Sequence, residues 1–569
     1  MGVLRIQHGF VGSSGTSQVV FTFLLIPCCL TVDFRAPPIF PNTPFLWAWN
    51  APTDVCAEKF NVPLDLRLFS LVGSPRVNVT GQNITLFYSD RLGYYPYIEA
   101  KTGKLVNGGL PQSGSLPGHL EKAKADISYY IPTDHVGLAV IDWEEWRPTW
   151  VRNWQAKDIY RQQSILLVQE ENVQLNVTEA TKTAKTMFEK AGKSFMLETL
   201  KLGKSLKPNH LWGFYLFPEC YNHYKGSDYN GSCYDIEKIR NDGLDWLWNE
   251  STALYPSVHL NSKLKSSPLA ALFVRNRVQE AIRVSKLPSA ESPLPIFTYT
   301  RPVFSDKPSE YLSQDDFVNT IGENIALGVS GTIFWGTSDL SSSMQTCTAL
   351  DNHMKTALNP YIINVTLAAK MCSQVLCQEK GVCTRKHWNS SDYLHLNPKN
   401  FAIQTGENGK YTIHGQLTLE DLQQFPQKFY CTCYANTSCE ERDNIKNIGA
   451  VNVCVTNDIC IDGFLNSKPG DQPPGPSSST PPATVSPCVH GKHPKGCSKV
   501  RCSGQTISNN AQGGRQSVYR KNTSSRLYIQ NKIIKTTPSS TSSVLIKFPV
   551  YIVYVLIYFP FLDLIIYLA

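Results

Sequence analysis

With 569 residues, of which 42% are hydrophobic, the chain is too long for one ordinary domain and can bury a substantial core, which excludes a fully disordered protein. The net charge of +8 is mild for this length. No dense basic run is interleaved with aromatic residues, so no nucleic-acid partner is predicted, whereas a polyanionic substrate would suit the charge.

The N-terminus has the pattern of a secretory signal peptide over residues 1–31. Arg5 and His8 precede an apolar stretch, residues 19–30, that is too short to span a bilayer. Cleavage near Thr31 would remove Cys28 and Cys29 and leave 15 of the 17 cysteines in a secreted chain, where disulfides are the default. Nine N-x-S/T sequons also indicate secretion, and they begin at Asn78, Asn83, Asn176, Asn230, Asn249, Asn364, Asn389, Asn436 and Asn522.

Residues 32–365 alternate between apolar runs typical of strands buried on both faces and helix-like segments. The predicted strands are Phe45–Trp49, Ile84–Tyr88, Val136–Asp142, Leu211–Phe217, Pro295–Thr300 and Gly331–Gly336. The predicted helices include Leu116–Ser128, Val151–Glu171, Glu179–Lys201 and Ala270–Val284. This alternation predicts an α/β fold and favours a (β/α) barrel over a doubly wound sheet, because no Gly-rich phosphate loop follows the first strand.

Four cysteines of this region suggest two bridges. Cys56 follows the first predicted strand and Cys347 follows the last, so a disulfide between them would tie the two ends of the domain together. A second disulfide, between Cys220 and Cys233, would close a short loop.

Residues 366–464 are rich in cysteine. Six of them have the spacing C-x4-C-x5-C, a long gap, then C-x-C-x5-C, which resembles an epidermal-growth-factor-like module with an insertion. That similarity implies the pairs Cys372–Cys383, Cys377–Cys431 and Cys433–Cys439, although sequence alone allows 15 pairings of six cysteines. A zinc site is the alternative, and the oxidising compartment and the lack of C-x2-C pairs disfavour it. Cys454 and Cys460 suit one further local bridge.

The C-terminal part changes character again. Residues 465–543 are rich in Pro, Ser and Thr, which predicts a disordered linker, and they contain Cys488, Cys497 and Cys502, an odd number. Residues 544–569 form a hydrophobic segment with no basic residue after it. This pattern favours a glycosylphosphatidylinositol-anchor signal over a single transmembrane helix, and either would place the protein on the outer face of the membrane.

The sharpest candidate for chemistry is the sequence IDWEEWRP, at the end of the apolar strand that contains Asp142. Side chains alternate along a strand, so Asp142 and Glu144 point the same way, and residues at the carboxyl ends of barrel strands face the active site. Two close carboxyl groups cannot both ionise freely, so the pKa of one should rise and provide a proton donor. The alternative is an acidic cap of the helix that follows the strand.

The motifs LAVIDWEEWRP, FLWAWNAPT, LGYYPY, GGLPQ, LWGFYLFPECYN and LDWLWNESTALYPS resemble those of animal hyaluronidases, and VRNRVQEAIRVSK and NSSDYLHLNP are most similar to the sperm-surface members. The resemblance runs from about Arg35 to Phe464. It implies a distorted (β/α) barrel followed by a cysteine-rich module. It also implies retaining, substrate-assisted hydrolysis of β-1,4 N-acetylhexosaminide bonds in hyaluronan, and more slowly in chondroitin, without a metal or other cofactor.

The resemblance also implies roles for single residues. Glu144 would be the catalytic acid and base, Asp142 would orient the substrate's acetamido group, and Tyr215 would hold that group. The implied substrate-binding residues are Asn50, Tyr95, Arg277, Trp335 and His259. His259 stands where the family usually has Tyr, and a His that titrates near neutrality would shift the pH profile.

Two other functions compete with the enzyme. A glycan-binding adhesin without turnover would often lack the catalytic acid, which this chain retains as Glu144. A structural surface protein would bind its partner through the cysteine-rich module, and nothing in the sequence favours it. The resemblance implies the sperm surface and acrosomal membrane as the location, with egg-coat glycoproteins as further partners and a role in penetrating the hyaluronan-rich matrix around the egg.

Overall fold

The computed structural model of the protein describes residues 33–406 and 409–464. The predicted signal peptide, the Pro/Ser/Thr-rich linker and the hydrophobic C-terminal segment lie outside these residues. Cys488, Cys497, Cys502 and the sequon at Asn522 lie outside them as well. Within the described part of the chain, no helix is long and apolar enough to cross a membrane.

The described residues contain eighteen strands, most of them short. They are β1 Phe34–Arg35, β2 Leu46–Asn50, β3 Leu71–Val72, β4 Ile84–Tyr88, β5 Tyr97–Ile98, β6 Leu105–Val106, β7 Gly137–Asp142, β8 His210–Phe214, β9 Phe297–Thr300, β10 Val303–Phe304, β11 Lys307–Tyr311, β12 Gly331–Trp335, β13 Gly381–Arg385, β14 Phe401–Thr405, β15 Tyr411–Gly415, β16 Phe429–Tyr434, β17 Ala450–Thr456 and β18 Ile459–Phe464.

Twelve α-helices lie between these strands in the same residues. They are α1 Asp54–Phe60, α2 Leu116–Tyr130, α3 Asp158–Glu171, α4 Val177–Leu206, α5 Asp235–Asp242, α6 Asp245–Glu250, α7 Pro268–Ser285, α8 Gln314–Phe317, α9 Glu323–Ala326, α10 Met344–His353, α11 Asn359–Leu376 and α12 Leu419–Lys428. A π-helical turn, Val318–Gly322, joins α8 to α9, and another, Met354–Leu358, joins α10 to α11.

Seven strands before α10 pair in parallel, in two sheets. One sheet has the order β3-β2-β12-β9 and the other has the order β4-β7-β8. Segment 254–257 connects the two sheets, because Tyr255 bridges to Tyr215 beyond β8 and Ser257 bridges to Tyr299 in β9, both in parallel. The strands therefore form one parallel series in which the carboxyl ends share an edge.

The α/β fold agrees with the sequence pattern. All six predicted strands are present, at β2, β4, β7, β8, β9 and β12. The pattern does not predict the connecting segment 254–257. Pro256 has no backbone N–H, so this segment makes isolated bridges instead of a regular ladder.

The four predicted helices are also present, with one difference at an end. The helix predicted from Val151 begins only at Asp158, because residues 150–152 and 155–157 form short 3-10 turns and Gln155 has a positive φ of 52°. By contrast, α4 begins at a capping box, in which the Asn176 side chain accepts from the backbone N–H of Glu179 and the Glu179 carboxylate accepts in return.

Six disulfides are present, and they are the six predicted pairs: Cys56–Cys347, Cys220–Cys233, Cys372–Cys383, Cys377–Cys431, Cys433–Cys439 and Cys454–Cys460. Because their sulfurs are bonded to each other, these cysteines have no thiolates to offer a zinc ion. Cys56–Cys347 joins α1 to α10 across 291 residues of sequence, so it closes a long loop of the unfolded chain.

The cysteine-rich part is built on a long helix. Helix α11 runs through the predicted domain boundary at residues 365 and 366 and carries Cys372. Strand β13 pairs antiparallel with β16, and β1 adds to β16 in parallel, so the start of the described chain packs into this part. The predicted insertion consists of the β14–β15 hairpin and α12.

Seven of the predicted glycosylation sites are exposed, at Asn78, Asn83, Asn176, Asn230, Asn249, Asn389 and Asn436. Asn364 differs, because it lies in α11 and its Oδ1 accepts a hydrogen bond from the backbone N–H of Leu396 at 3.1 Å. The hydroxyl of its sequon residue, Thr366, is buried and donates to the Ile362 carbonyl at 2.6 Å. Asn364 is therefore the least accessible of the described sequons.

A fully buried carboxylate, Glu323 in α9, holds the two parts of the fold together. It pairs with Arg275 of α7 at 2.7 Å and with Arg385 of β13 at 2.9 Å, and it accepts a hydrogen bond from the Tyr393 hydroxyl at 2.8 Å. Both arginine side chains are buried too. Removing the one carboxylate would leave two buried cations without their partner.

We therefore expect Glu323→Gln to lower the free energy of unfolding by about 3–5 kcal/mol, because the amide cannot neutralise Arg275 and Arg385. Urea unfolding of the disulfide-intact protein, followed by tryptophan fluorescence, measures this loss. The matched control is Glu310→Gln, because Glu310 is partly exposed and pairs with the exposed Lys265 and Lys307. Equal losses in the two variants would contradict the structural role of Glu323.

Candidate active site

The carboxyl ends of the parallel strands bring the candidate site together. In the β4–β7 register Tyr88 lies opposite Asp142, and the backbone N–H of Tyr215 donates to the Ile141 carbonyl at 2.9 Å. Strand β9 ends beside Arg301, and strand β12 ends at Trp335. These side chains are far apart in sequence and meet only because parallel strands end at one edge.

A small cavity of about 60 Å³ lies at this edge. It is lined by Leu86, Asp142, Glu144, Tyr215, Tyr299, Arg301 and Trp335. The two carboxyl groups of this lining both come from the end of β7. The rest of the lining is aromatic, aliphatic or cationic, so no third carboxyl group of the lining faces them.

Asp142 and Glu144 have different surroundings. The Oδ1 atom of Asp142 is buried without a hydrogen-bond partner, and burial, together with the nearby charges of Glu144 and Glu145, raises the pKa of Asp142 well above its usual range. The side chain of Glu144 is 49% exposed. The sequence predicted that the pKa of one of the two carboxyl groups would rise, and this group is Asp142. The side chain of Glu144 is accessible to solvent.

Arg147 fixes the position of Glu144. Its Nη1 donates to the Glu144 backbone carbonyl at 3.0 Å, and its Nη2 lies 3.5 Å from the Glu144 carboxylate. Its Nε donates to Glu219 at 3.0 Å. Burial works against the guanidinium charge, but the neighbouring Glu219 raises the pKa of Arg147 overall, so the arginine stays charged in a buried place.

Tyrosine hydroxyls and an indole N–H belong to the rest of the small cavity's lining. Tyr215 donates to Ser257 at 3.3 Å, and burial, with the charge of Glu144, raises the pKa of Tyr215, which keeps its hydroxyl protonated at neutral pH. The Trp335 indole donates to the Tyr88 hydroxyl at 3.1 Å. The Arg301 guanidinium lies 4.4 Å from the Trp335 ring centroid, in a cation–π contact.

Two of the predicted substrate-binding residues lie elsewhere. Tyr95 is completely buried and stacks on Trp143 and Trp146, with ring centroids 4.5 and 5.2 Å apart, so it is a core residue and does not line the cavity. Asn50 is also buried, behind the cavity, where its amide donates to the Tyr299 hydroxyl at 3.4 Å. Asn50 can position Tyr299 but does not line the cavity.

Tyr299 and Arg301 line the small cavity and were missed by the sequence analysis. Tyr88 does not line it but supports the lining, because its hydroxyl accepts from the Trp335 indole. Tyr88 is the last residue of a predicted strand, and its position at the carboxyl end is a signal that could have identified it. Burial, with the charge of Asp142, raises the pKa of Tyr88, which is consistent with their close approach.

A second and larger cavity, of about 500 Å³, lies on the other side of Arg147. Arg277 and His259, two of the residues predicted to bind substrate, line it, and Trp335 stacks on His259 with ring centroids 5.9 Å apart. Arg277 donates from Nε to Asn222 at 2.7 Å and from Nη1 to the Ser257 carbonyl at 2.9 Å. Burial lowers the pKa of Arg277 to about 10, so it remains cationic at neutral pH.

Comparison with known proteins gives consistent results. The family model described as hyaluronidase, a glycoside hydrolase family, matches residues 34–444. Hyaluronidase PH-20 of Homo sapiens is 63% identical over 492 residues, covering 85% of this chain and 96% of that protein. Hyaluronidase-5 of Mus musculus is 60% identical over 511 residues, covering 87% and 97%. The crystal structure of bee venom hyaluronidase in complex with a hyaluronic acid tetramer is 29% identical, with a TM-score of 0.49, and covers 56% of this chain and 98% of that one.

The buried Asp142 should make stability depend on pH. Because its pKa in the folded protein is raised, its contribution to stability is present below the unfolded value of about 4 and is lost as the pH rises through the folded value. Asp142→Asn keeps the shape but cannot ionise. We expect the melting temperature of the variant, relative to wild type, to increase from about pH 4 to about pH 8.

Thermal unfolding across this pH range measures the difference. Asp315→Asn, which changes an exposed carboxylate on α8, is the control and should follow wild type at every pH. A difference between Asp142→Asn and wild type that stays constant, or shrinks as the pH rises, would contradict the buried and protonated state of Asp142.

Proposed function

The chain belongs to the hyaluronidase family and is a glycosidase, and from this premise we propose that it cleaves hyaluronan at the small cavity, with Glu144 as the catalytic acid. The bond would be the β-1,4 linkage that follows N-acetylglucosamine, with slower cleavage of chondroitin. The observation that carries this proposal is the lining of the small cavity, in which the carboxyl groups are Asp142 and Glu144, side by side at the end of β7.

That lining favours participation of the substrate. An ordinary retaining glycosidase has two carboxyl groups on opposite sides of the scissile bond, about 5–5.5 Å apart, and one of them is the nucleophile. Here both carboxyl groups come from the end of one strand, and the rest of the lining, Leu86, Tyr215, Tyr299, Arg301 and Trp335, contains no third one. The nucleophile would therefore be the carbonyl oxygen of the substrate's own acetamido group.

In the first step Glu144 donates its proton to the glycosidic oxygen, and the bond between that oxygen and the anomeric carbon breaks. The acetamido carbonyl oxygen forms a new bond to the same carbon and gives a cyclic oxazolinium ion. In the second step the Glu144 carboxylate removes a proton from water, whose oxygen attacks the anomeric carbon and opens the ring. The two inversions retain the configuration, and Glu144 ends protonated.

Asp142 and Tyr215 would act on the acetamido group. Burial and the nearby charges of Glu144 and Glu145 raise the pKa of Asp142, which favours its protonated form in the free enzyme. A substrate N–H that donates to Asp142 would favour the carboxylate form of Asp142, while Glu144 supplies the proton to the glycosidic oxygen. On substrate binding the Tyr215 hydroxyl would turn its one proton from Ser257 to the acetamido oxygen, with the Ser257 hydroxyl donating to Tyr215 instead, and would so align the attack.

An anionic polymer suits the cations beside the site. Arg277, Arg301 and Lys263 lie at the two cavities, and none of them makes an ion pair with another described residue. Arginine that is free of a carboxylate partner can bind a substrate carboxylate in a bidentate manner. The glucuronate units of hyaluronan would supply such carboxylates.

We further propose the finer architecture. The parallel series would close into a distorted (β/α) barrel over residues 32–365. Two close approaches between the sheets support closure. Gly73, just after β3, lies so near β4 that an added Cβ would be 2.5 Å from the Ile84 carbonyl oxygen. The Trp335 indole of β12 also donates a hydrogen bond to the Tyr88 hydroxyl of β4. Residues 366–464 would be the epidermal-growth-factor-like module, supported by its three disulfides.

The proposed setting is the outer surface of sperm and the acrosomal membrane, reached through the secretory pathway and held by a lipid anchor. There the enzyme would help sperm to penetrate the hyaluronan-rich matrix around the egg, with egg-coat glycoproteins as additional partners. Support comes from the six disulfides and seven exposed sequons, which suit an extracellular protein, and from the 63% identity to hyaluronidase PH-20. An adhesin without turnover is the second candidate, and the half-exposed Glu144 held by Arg147 favours the enzyme over it.

We expect Glu144→Gln to fold and be secreted like wild type but to cleave hyaluronan at least about a thousandfold more slowly, because the amide has no proton to donate. The matched control is Glu145→Gln, since Glu145 is the adjacent carboxyl group but does not line the small cavity. Loss of hyaluronan viscosity, measured at acid and neutral pH, gives the rates. Full turnover by Glu144→Gln would refute its role as the acid, and binding without cleavage by wild type would favour the adhesin.

The pH–rate profile should not depend on His259, contrary to the hypothesis from sequence. Burial, reinforced by the charges of Arg301 and Arg277, lowers the pKa of His259 well below its usual value, and its Nε2 is buried without a partner. The ring is therefore neutral throughout the neutral range. We expect the profile of His259→Tyr to have the same limbs as wild type, measured with hyaluronan. A limb that moves on this substitution would show that His259 titrates.

A further inference from the structure

We infer that the large cavity beyond Arg147 binds the leaving-group side of the glycan chain, and that Trp154 is its stacking platform and determines where along the chain the enzyme cuts. This inference rests on the proposed function, because it takes the small cavity as the site of the sugar whose bond breaks. The large cavity takes no part in the chemistry at Asp142 and Glu144, and we infer that it binds glycan.

The position of the large cavity relative to Glu144 sets the direction. Asp142 and Tyr215 lie in the small cavity with the acetamido group, and Glu144 protonates the oxygen that leaves. Arg147 touches Glu144 and lines the large cavity, and the Lys157 ammonium, also in the large cavity, donates to the Glu144 backbone carbonyl. The large cavity therefore begins where the leaving group departs.

The size and charge of this cavity suit an acidic sugar chain. Its volume, about 500 Å³, lies within the usual range for ligand sites of about 300–1,000 Å³. Lys263 and Arg277 line it, and neither makes an ion pair with another described residue, whereas the one carboxylate of the lining, Glu219, is already paired with Arg147. The surplus of positive charge favours a chain that carries one carboxylate in each disaccharide.

The exposed ring of Trp154 is available to stack on a sugar ring. Its side chain is 44% exposed, which is unusual for a tryptophan. Its ring lies edge-on to Tyr221, with centroids 5.5 Å apart, and the Arg152 guanidinium lies 3.8 Å from the Tyr221 centroid and 5.5 Å from that of Trp154. Arg152 is buried and paired with Glu237, so a charged side chain lies close to both rings.

The backbone around the cavity supports a functional role. Leu216 and Tyr221 line it with positive φ values of 80° and 53°, and Gln155, next to Trp154, has a φ of 52°. Residues other than glycine rarely adopt this left-handed conformation, and they do so mostly where function requires it. Unfavourable backbone angles therefore occur next to Trp154 and at Tyr221, the two residues whose rings are in contact.

The first experiment measures binding without cleavage. The full chain with Glu144→Gln is titrated with a hyaluronan octasaccharide, and the same titration is made with Trp154→Ala added. We expect the affinity to fall about tenfold, as is typical of a tryptophan that anchors an interface. Trp154→Phe should restore most of it, which a change in folding alone would not explain. Trp388→Ala is the matched control, since Trp388 is 50% exposed and lines neither cavity.

The second experiment locates the cut. A hyaluronan decasaccharide labelled at its reducing end is digested briefly by the chain with native Glu144, with and without Trp154→Ala. We expect the labelled product, which comes from the leaving-group side, to become shorter in the variant, because long extensions on that side no longer gain from stacking. Lys263→Gln should weaken the dependence of the octasaccharide affinity on salt.

The outcomes separate the inference from the proposed function. Equal affinities and identical cutting positions in wild type and Trp154→Ala would overturn the inference while leaving the glycosidase intact. A labelled product that becomes longer in the variant would place the cavity on the opposite side of the bond and overturn the inference too. If the native chain cuts nothing, the proposed function fails, and the binding experiment alone decides whether Trp154 holds the glycan.

Discussion

The buried charge of Arg147 is the constraint on which the arrangement of the site depends. A guanidinium that is out of water must be surrounded by acceptors, and here these are Glu219, the Glu144 carbonyl and the Glu144 carboxylate. Satisfying Arg147 therefore ties the end of β7 to the loop that follows β8 and directs Glu144 toward solvent. The same guanidinium lines the large cavity and contacts Glu144, which lines the small one, so it helps to set both the position of Glu144 and the border of the large cavity.

The two carboxyl groups at the end of β7 lie on the same side of the strand but differ in their exposure to water. The Oδ1 atom of Asp142 is buried without a hydrogen-bond partner, whereas the side chain of Glu144, two residues further on, is exposed and contacts Arg147. Burial therefore raises the pKa of Asp142, while Glu144 stays within reach of solvent and substrate. One strand end thus presents two carboxyl groups in different environments, as the proposed division of roles requires.

Sequence patterns predicted which strands and disulfides form better than they predicted which side chains meet at the site. Buried parallel strands are near-continuous apolar runs, so β4, β7 and β12 could be predicted. The resemblance of six cysteines to an epidermal-growth-factor-like module, together with the positions of the other six, led to the six disulfides that are present. Tyr95 was placed at the substrate because the motif LGYYP does not say which tyrosine turns inward, and in the structure it packs against Trp143 and Trp146. The titration of His259 could not be predicted either, because Arg277 and Arg301, which help to suppress it, are distant in sequence.

The separation of the cavities also eases a conflict in electrostatics. An acidic polymer requires cations, but a cation close to Asp142 would lower the pKa of that carboxyl group. Arg147 is the cation that acts on Asp142 in this direction, and two acidic neighbours, Glu144 and Glu145, oppose it. Arg301 lines the small cavity as well, with its guanidinium 4.4 Å from the Trp335 ring centroid. Lys157, Lys263 and Arg277 lie in the large cavity. These three cations therefore line the cavity that does not contain Asp142, which a single basic groove would not allow.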